Sequence, residues 1–170
     1  MSDGYALALQ KSLRTVLLAD TDLAALISTR LYDEPPENVV FPYVRFGNIT
    51  PDTVDTDGTE NATVSFLMET YSRTTGRVEA SQIAEAVRAA LHRNEAPVTA
   101  ALANSFTVTS YLTMENGDAV LLESGDKIIN TDTGFRIVLM VCDNYFIDRD
   151  DSVGRGYTGR VLFSTMMETA

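Results

Sequence analysis

Few residues of this sequence could do chemistry on their own. Nucleophilic catalysis needs a base beside a serine or cysteine, and the chain has one histidine, His92, and one cysteine, Cys142. His92 falls at the end of an expected helix, where it faces solvent or the last helix carbonyls. Cys142 follows the apolar run Val138 to Val141 and reads as a small core residue or a satisfied strand position. A lone cysteine excludes an internal disulfide and a thiolate metal cage. No serine sits in a G-x-S-x-G turn, and neither glycine-rich phosphate loop pattern occurs.

Carboxylates are the abundant reactive groups. Asp52, Asp55, Asp57 and Glu60 cluster in one stretch, and Asp148, Asp150 and Asp151 in another. Asp55-Thr56-Asp57-Gly58 matches the middle of a calcium loop. The full register fails, because it puts Thr53 first and Val64 last, and neither is a proper ligand there. Paired glycosidase-type carboxylates would need partner groups that the sequence does not supply. Solvated turns are the expectation for both clusters, with no catalytic, cofactor-binding or metal residue. The acids serve better as contact groups. The candidates for an interface are Asp52, Asp55, Asp57 and Glu60 in one long polar loop, Thr50 to Glu60, and Glu115, Asp118, Glu123 and Asp126 at two later turns.

The elements that carry these residues follow from periodicity. Leu9, Leu13, Val16 and Leu17 make one apolar stripe on a helix from Tyr5 to Leu18. Asp20 or Thr21 can cap a short helix bearing Leu23, Leu26 and Ile27. Pro35-Pro36 ends helical structure. A strand is expected from Phe41 to Ile49, with Pro42 at its start, where a missing N–H costs least. Ala62 to Tyr71 alternates, with Val64, Phe66 and Met68 on one side. Gly76 leads into a helix from Arg77 to His92, whose buried face is Ala80, Ile83, Ala84, Val87 and Leu91. Arg77 and Glu79 occupy exposed positions in its first turn. Strands are then expected at Phe106–Thr113, Ala119–Leu122, Lys127–Asn130, Phe135–Phe146 and Arg160–Met167. Asn116-Gly117 and Ser124-Gly125 supply hairpin turns. The pattern predicts an α+β fold: a mainly antiparallel sheet, two main helices packed on one face, and an inserted β-hairpin region.

Length and charge bound the rest. At 170 residues the chain suits one domain with a sizeable core. No run approaches about 18 consecutive apolar residues, so no membrane span is expected. Met1 to Tyr5 lacks the basic region of a signal peptide, which points to synthesis in the cytoplasm. The formal charge is -11, with no Lys/Arg cluster. Such a chain repels phosphate backbones, so no tight nucleic-acid binding is expected.

Several stretches, taken in order, resemble a known family. They are Leu9, Leu13 and Leu17 followed by Ala19 to Leu26; Thr29 to Asp33; Pro36; Phe41-Pro42-Tyr43-Val44 with Gly47; Tyr71-Ser72-Arg73 before Gly76 to Ala80; Ile83, Val87 and Leu91; and Asp148-Arg149-Asp150 before Gly159 to Phe163. This order resembles the tail terminator, or tail completion, proteins of long-tailed bacteriophages and prophage-derived particles. The likeness covers Tyr5–Leu102 well and Val141–Met167 moderately.

The resemblance implies a single domain over 1–170 with no active site to carry across, a structural virion protein rather than an enzyme. It departs from the family at about 104–133, which looks like a β-hairpin insertion. The resemblance further implies a ring of copies, a hexamer, on the tail tube protein. That ring would cap the tube, stop its polymerisation and meet the head–tail connector at the tail–head junction. DNA would pass through the ring. Two other readings stay open: a neighbouring neck adaptor or stopper, and an acidic cation-dependent hydrolase working through the Asp clusters.

Overall fold

A computed structural model describes residues 4–53, 61–105, 107–111, 129–133, 136–150 and 156–168. Asp55, Asp57, Glu60, Glu115, Asp118, Glu123, Asp126 and Asp151 lie outside them, as do the turns at Asn116-Gly117 and Ser124-Gly125.

The N-terminal helix, α1, runs Tyr5–Ala19 and buries Ala8, Leu9, Ser12, Leu13 and Leu17. The apolar stripe read from the sequence therefore faces the core, with Val16 only partly buried beside it. Ser12 fits this face because its hydroxyl donates to the Ala8 carbonyl at 2.9 Å. The short helix α2, Thr21–Ile27, is capped by Asp20, whose Oδ1 accepts from the Leu23 amide at 2.8 Å. Of the two possible caps, the carboxylate takes the role, and it also meets the positive end of the helix dipole.

Three strands follow. β1 is the two-residue Leu31–Tyr32, β2 is Tyr43–Thr53 and β3 is Asn61–Ser72. The second strand starts later and ends later than expected, so Thr50 to Thr53 belong to it and not to a loop. Pro42 precedes the strand, joined to Phe41 by a cis peptide bond. Gly76 has φ +103°, a conformation that L side chains rarely adopt. It turns the chain into α3, Val78–Leu91. Glu79 is half-buried, not exposed. Its carboxylate accepts from the Ser72 hydroxyl and from Thr74 Oγ1, 2.7 Å away, which ties the helix start to the end of β3.

A fourth helix, α4, spans Glu95–Ser105 and has no counterpart in the sequence expectations. Its signals are present but short: Asn94-Glu95 as a start, Pro97 where the first turn tolerates it, and Val98 and Leu102 one turn apart. Both apolar residues are buried. Then come β4, Thr107–Tyr111, and β5, Ile129–Thr133, which pair with each other in a separate antiparallel ladder. The chain closes with a long hairpin of β6, Arg136–Asp150, and β7, Gly156–Glu168.

The main sheet has the order β1-β2-β3-β7-β6. Only β1–β2 is parallel; the other pairs are antiparallel. The fold is thus α+β, with the helices packed on the sheet. Cross-strand pairing puts Phe66 beside Phe163 and Met68 beside Val161. All four are fully buried under the helices. Residues one position along each strand face the other way, which is the period-two rule of a pleated strand.

Gly159 marks the closest approach of the last strand to its neighbours. A Cβ there would meet Thr70 Oγ1, Ile147 Cδ1 at 2.8 Å and Ala84 Cβ at 3.4 Å. Thr70 is fully buried and cannot swing away. Gly159→Ala is expected to lower stability by about 1–3 kcal/mol through overpacking, read as a fall in the urea midpoint with an unchanged m-value. A neutral or stabilised variant would show that the gap is larger than the backbone places it.

Candidate assembly interface

The helices cover one face of the sheet and leave the other open. On that open face the register aligns one residue from each of four strands in a row: Arg45, Glu69, Arg160 and Phe146. Glu69 is only 7% exposed, and a desolvated carboxylate needs paired charge and hydrogen bonds. It has both. Its Oε2 accepts from Arg45 Nε at 3.0 Å and from the Tyr71 hydroxyl at 3.2 Å. Its Oε1 lies 3.5 Å from Arg160 Nε. The two guanidinium side chains stay 38% and 48% exposed, so two cations around one anion present donors to whatever covers this face.

Aromatic rings extend the row. Tyr43 stacks on Tyr71 with centroids 4.8 Å apart, and Phe41 packs beside Tyr43 at 5.1 Å. The Arg73 guanidinium sits 4.0 Å over the Phe41 ring, and Arg160 lies 5.8 Å from the Phe146 ring. Further along, Leu139 pairs with Met166 and Asn144 with Leu162. Leu139, Phe146, Leu162 and Met166 are all 40–48% exposed. Tyrosine, phenylalanine and arginine beside exposed aliphatic side chains are the composition that protein interfaces favour.

Tyr71 carries a pH signature. Burial first, then the Glu69 charge, pushes its pKa up to about 12. The folded state therefore favours the neutral phenol over an ordinary tyrosine titrating near 10. The stability this gives is complete below about pH 10 and is lost as pH rises toward 12. Chemical denaturation across that window should show a steeper alkaline loss in the wild type than in Tyr71→Phe. Parallel curves would remove Tyr71 from the account.

A second open region, a groove of about 1420 Å³, lies on the helix side between α2, α3 and the distal part of β6. Leu26, Val78, Glu85, His92, Cys142 and Tyr145 are among its walls. Its reactive groups are engaged structurally. His92 Nδ1 accepts from the Cys142 backbone amide at 3.0 Å, so the half-buried ring pins the end of α3 to the sheet and does not bond the helix carbonyls. Burial pushes the Cys142 thiol up, away from the thiolate, which weakens it as a nucleophile. Glu85 is taken up by Arg88, whose Nε donates to it at 2.9 Å.

Of the interface residues read from the sequence, only Asp52 can be placed. It is exposed near the end of β2, paired with Thr63. It does not join the Arg45–Glu69–Arg160 row. The second acid cluster is partly strand: Asp148 and Asp150 belong to β6, and Asp150 Oδ2 accepts from Thr158 Oγ1 at 2.8 Å. Among the described residues, no group of three His, Cys, Asp or Glu side chains could hold a metal ion. Sequence reasoning missed the open-face row altogether. Its one available signal was Glu69 and Arg45 on strands that alternate, and nothing local said that they meet.

The sequence model of the family described as tail completion protein gp17 matches residues 11–121, well over half of the chain. The chain belongs to the tail completion protein family. It is accordingly a structural tail protein of bacteriophage type, and this family gives no reason to expect an enzyme. The matched stretch runs from α1 through α4 and β4. No curated protein sequence matches the chain significantly. Among solved structures, a chain from a structure titled "Virion of native gene transfer agent (GTA) particle" shares the fold, with a TM-score of 0.69 and 21% identity. The alignment covers 98% of this chain and 99% of that one. This tail completion protein thus shares its architecture over nearly its full length, β6–β7 hairpin included.

Proposed function

We infer that this tail completion protein forms a closed ring on the last layer of the tail tube, ends tube polymerisation there and presents its other side to the head connector. The observation that carries the reading is the open sheet face. A five-stranded sheet with exposed Leu139, Phe146, Leu162 and Met166 beside Arg45 and Arg160 is a surface suited to burial by another protein. A head-to-tail contact whose rotation closes yields a ring, and a hexamer is the stoichiometry proposed. The likeness to a chain of a gene transfer agent virion supports a place in the particle; the tail–head junction is the position proposed. The chain is proposed to act as one domain over 1–170, with the ribbon region at about 104–133 as an insertion. The acids from Asp52 to Glu60 and from Glu115 to Asp126 are proposed as contact groups at the ring's rims.

The test is genetic and visual. Particles made without the chain should carry tubes of uncontrolled length, and supplying the chain should restore a uniform length. Tubes of normal length that merely fail to join heads would transfer the role to a neighbouring neck component. The charge of -11, repeated around a ring, also sets an expectation for DNA. Phosphates within about 8–10 Å of such a wall are repelled at physiological salt, which suits a genome that must slide past. A gel shift should show no retention of duplex DNA at micromolar protein. Binding that weakens as salt rises would expose a basic patch and a gripping role.

A further inference from the structure

Among the described residues, strand β6 is the outer strand of the main sheet, paired with β7 on one side only. An unpaired strand edge is a template for another strand, and proteins commonly block it. Here the first half of the edge is blocked by side chains from the α3–α4 corner. The amide of Ile137 donates to Thr99 Oγ1 at 3.2 Å, that of Met140 to Glu95 Oε1 at 3.0 Å, and that of Cys142 to His92 Nδ1 at 3.0 Å. The Met140 carbonyl accepts from the Arg93 amide at 2.9 Å. Three successive outward amides are thus satisfied by three different side chains.

The blocking stops at the bulge between Cys142 and Asn144. The same alternation carries the outward positions on to Tyr145 and Ile147. Among the described residues, nothing beyond the β7 ladder hydrogen-bonds the backbone from Tyr145 to Asp148. Tyr145 and Phe146, on opposite faces of the strand, are 45% and 43% exposed. Among the described residues, the first half of this edge is closed and the stretch Tyr145–Asp148 is left open.

Among the described residues, β4 and β5 pair only with each other, over five residues each, outside the main sheet. A two-stranded ribbon alone is marginally stable in water and gains from a third strand. We propose that the open stretch of the β6 edge, Tyr145–Asp148, receives β4 of a second copy of this chain, so that the sheet runs on from one subunit to the next. This rests on the ring reading above and names the contact that builds it.

Two features select this occupant. The strand β4, Thr-Val-Thr-Ser-Tyr, is uncharged, whereas β5 contains Asp132; beside Asp148 and Asp150, the uncharged strand is the one that adds without repulsion. The chain's own ribbon is badly placed for the task, because β5 ends at Thr133 and β6 begins at Arg136. Asn144 lies roughly 26 Å further along β6, beyond the stretch that His92, Glu95 and Thr99 already occupy. A strand from a neighbour reaches the open half without crossing the blocked half. Main-chain hydrogen bonds would give the affinity, and the exposed rings of Tyr145 and Phe146 would flank the added strand on its two faces.

The experiment uses the full chain, alone at low concentration and assembled on tail tubes, at elevated salt where repulsion between acidic copies is screened. Hydrogen exchange read on peptides covering Thr107–Tyr111 and Tyr145–Asp148 should slow by at least about 100-fold on assembly. Tyr145→Pro removes one outward amide from an edge position where proline is otherwise tolerated, and it should abolish ring formation. Tyr145→Ala keeps that amide and should assemble. Should the proline variant fail to fold by circular dichroism, the wild-type exchange data decide alone. Protection of Tyr145–Asp148 already present in the monomer would mean that the edge is covered within the chain, and would overturn the proposal. So would rings that form with these amides still exchanging fast, or rings from a folded Tyr145→Pro; both outcomes leave the ring reading standing. A chain that stays monomeric on tubes overturns the ring reading and this proposal together.

Discussion

Phe163→Ala is expected to destabilise the protein by about 3–5 kcal/mol. Phe163 is fully buried on β7, the strand flanked by both β3 and β6. Its ring stacks on that of Phe66, with centroids 5.0 Å apart and planes 8° from parallel. Truncation removes the transfer energy of the ring and leaves a cavity that a sheet pinned on both sides cannot collapse into. Loss of the ring pair adds on the order of 0.5–1.5 kcal/mol within that total. Urea unfolding of the monomer measures it, with the m-value as the check that the denatured state is unchanged. Phe146→Ala is the matched control: the same residue type in the same sheet, but on the open face. Its cost in the monomer should stay below about 1 kcal/mol, with its effect appearing in assembly instead. Equal losses for the two variants would mean that the open face is covered in the monomer, and the candidate interface would fall with that result.

Leu13→Ala should cost about 2–5 kcal/mol. Leu13 has no exposed surface and sits midway along α1, the helix that packs on α4, α3 and α2 as well as on β2 and β3. A void there loosens the helix layer in several directions at once. Asp52→Asn, by contrast, alters a solvated group on the rim of the sheet and should stay within about 0.5 kcal/mol. A calcium-dependent rescue of an unstable Asp52→Asn variant would reverse the assignment and make the acids a metal site.

Helix α3 and strand β3 were readable residue by residue. Their apolar spacings of 3.6 and 2 are local properties, and in each case the buried face matches the sequence pattern. The second strand was misjudged at both ends: Phe41 and Pro42 were counted in it, whereas pairing with β3 starts at Tyr43, and the polar run after Thr50 resembles loop chemistry, whereas that pairing holds Thr50 to Thr53 extended. Helix α4 was missed because its exposed residues are small and its apolar stripe is only Val98 and Leu102. Its stability comes from α1 and β6, against which it packs, and not from its own period.

The sequence by itself determined the class of the fold, the buried stripes of the two main helices and, through the order of its short motifs, membership of the tail completion family. These are sums over local signals, and each survives an error of a residue or two. Tertiary structure alone decided which acid is buried. Glu69 differs from its neighbours only because register puts Arg45 on one side of it and Arg160 on the other. It also decided that His92 closes a strand edge, and that the closure ends at the Cys142–Asn144 bulge. Register and edges are relations between segments far apart in the chain. A one-residue slip would exchange the open and buried faces of a strand, so no local pattern could have stated them.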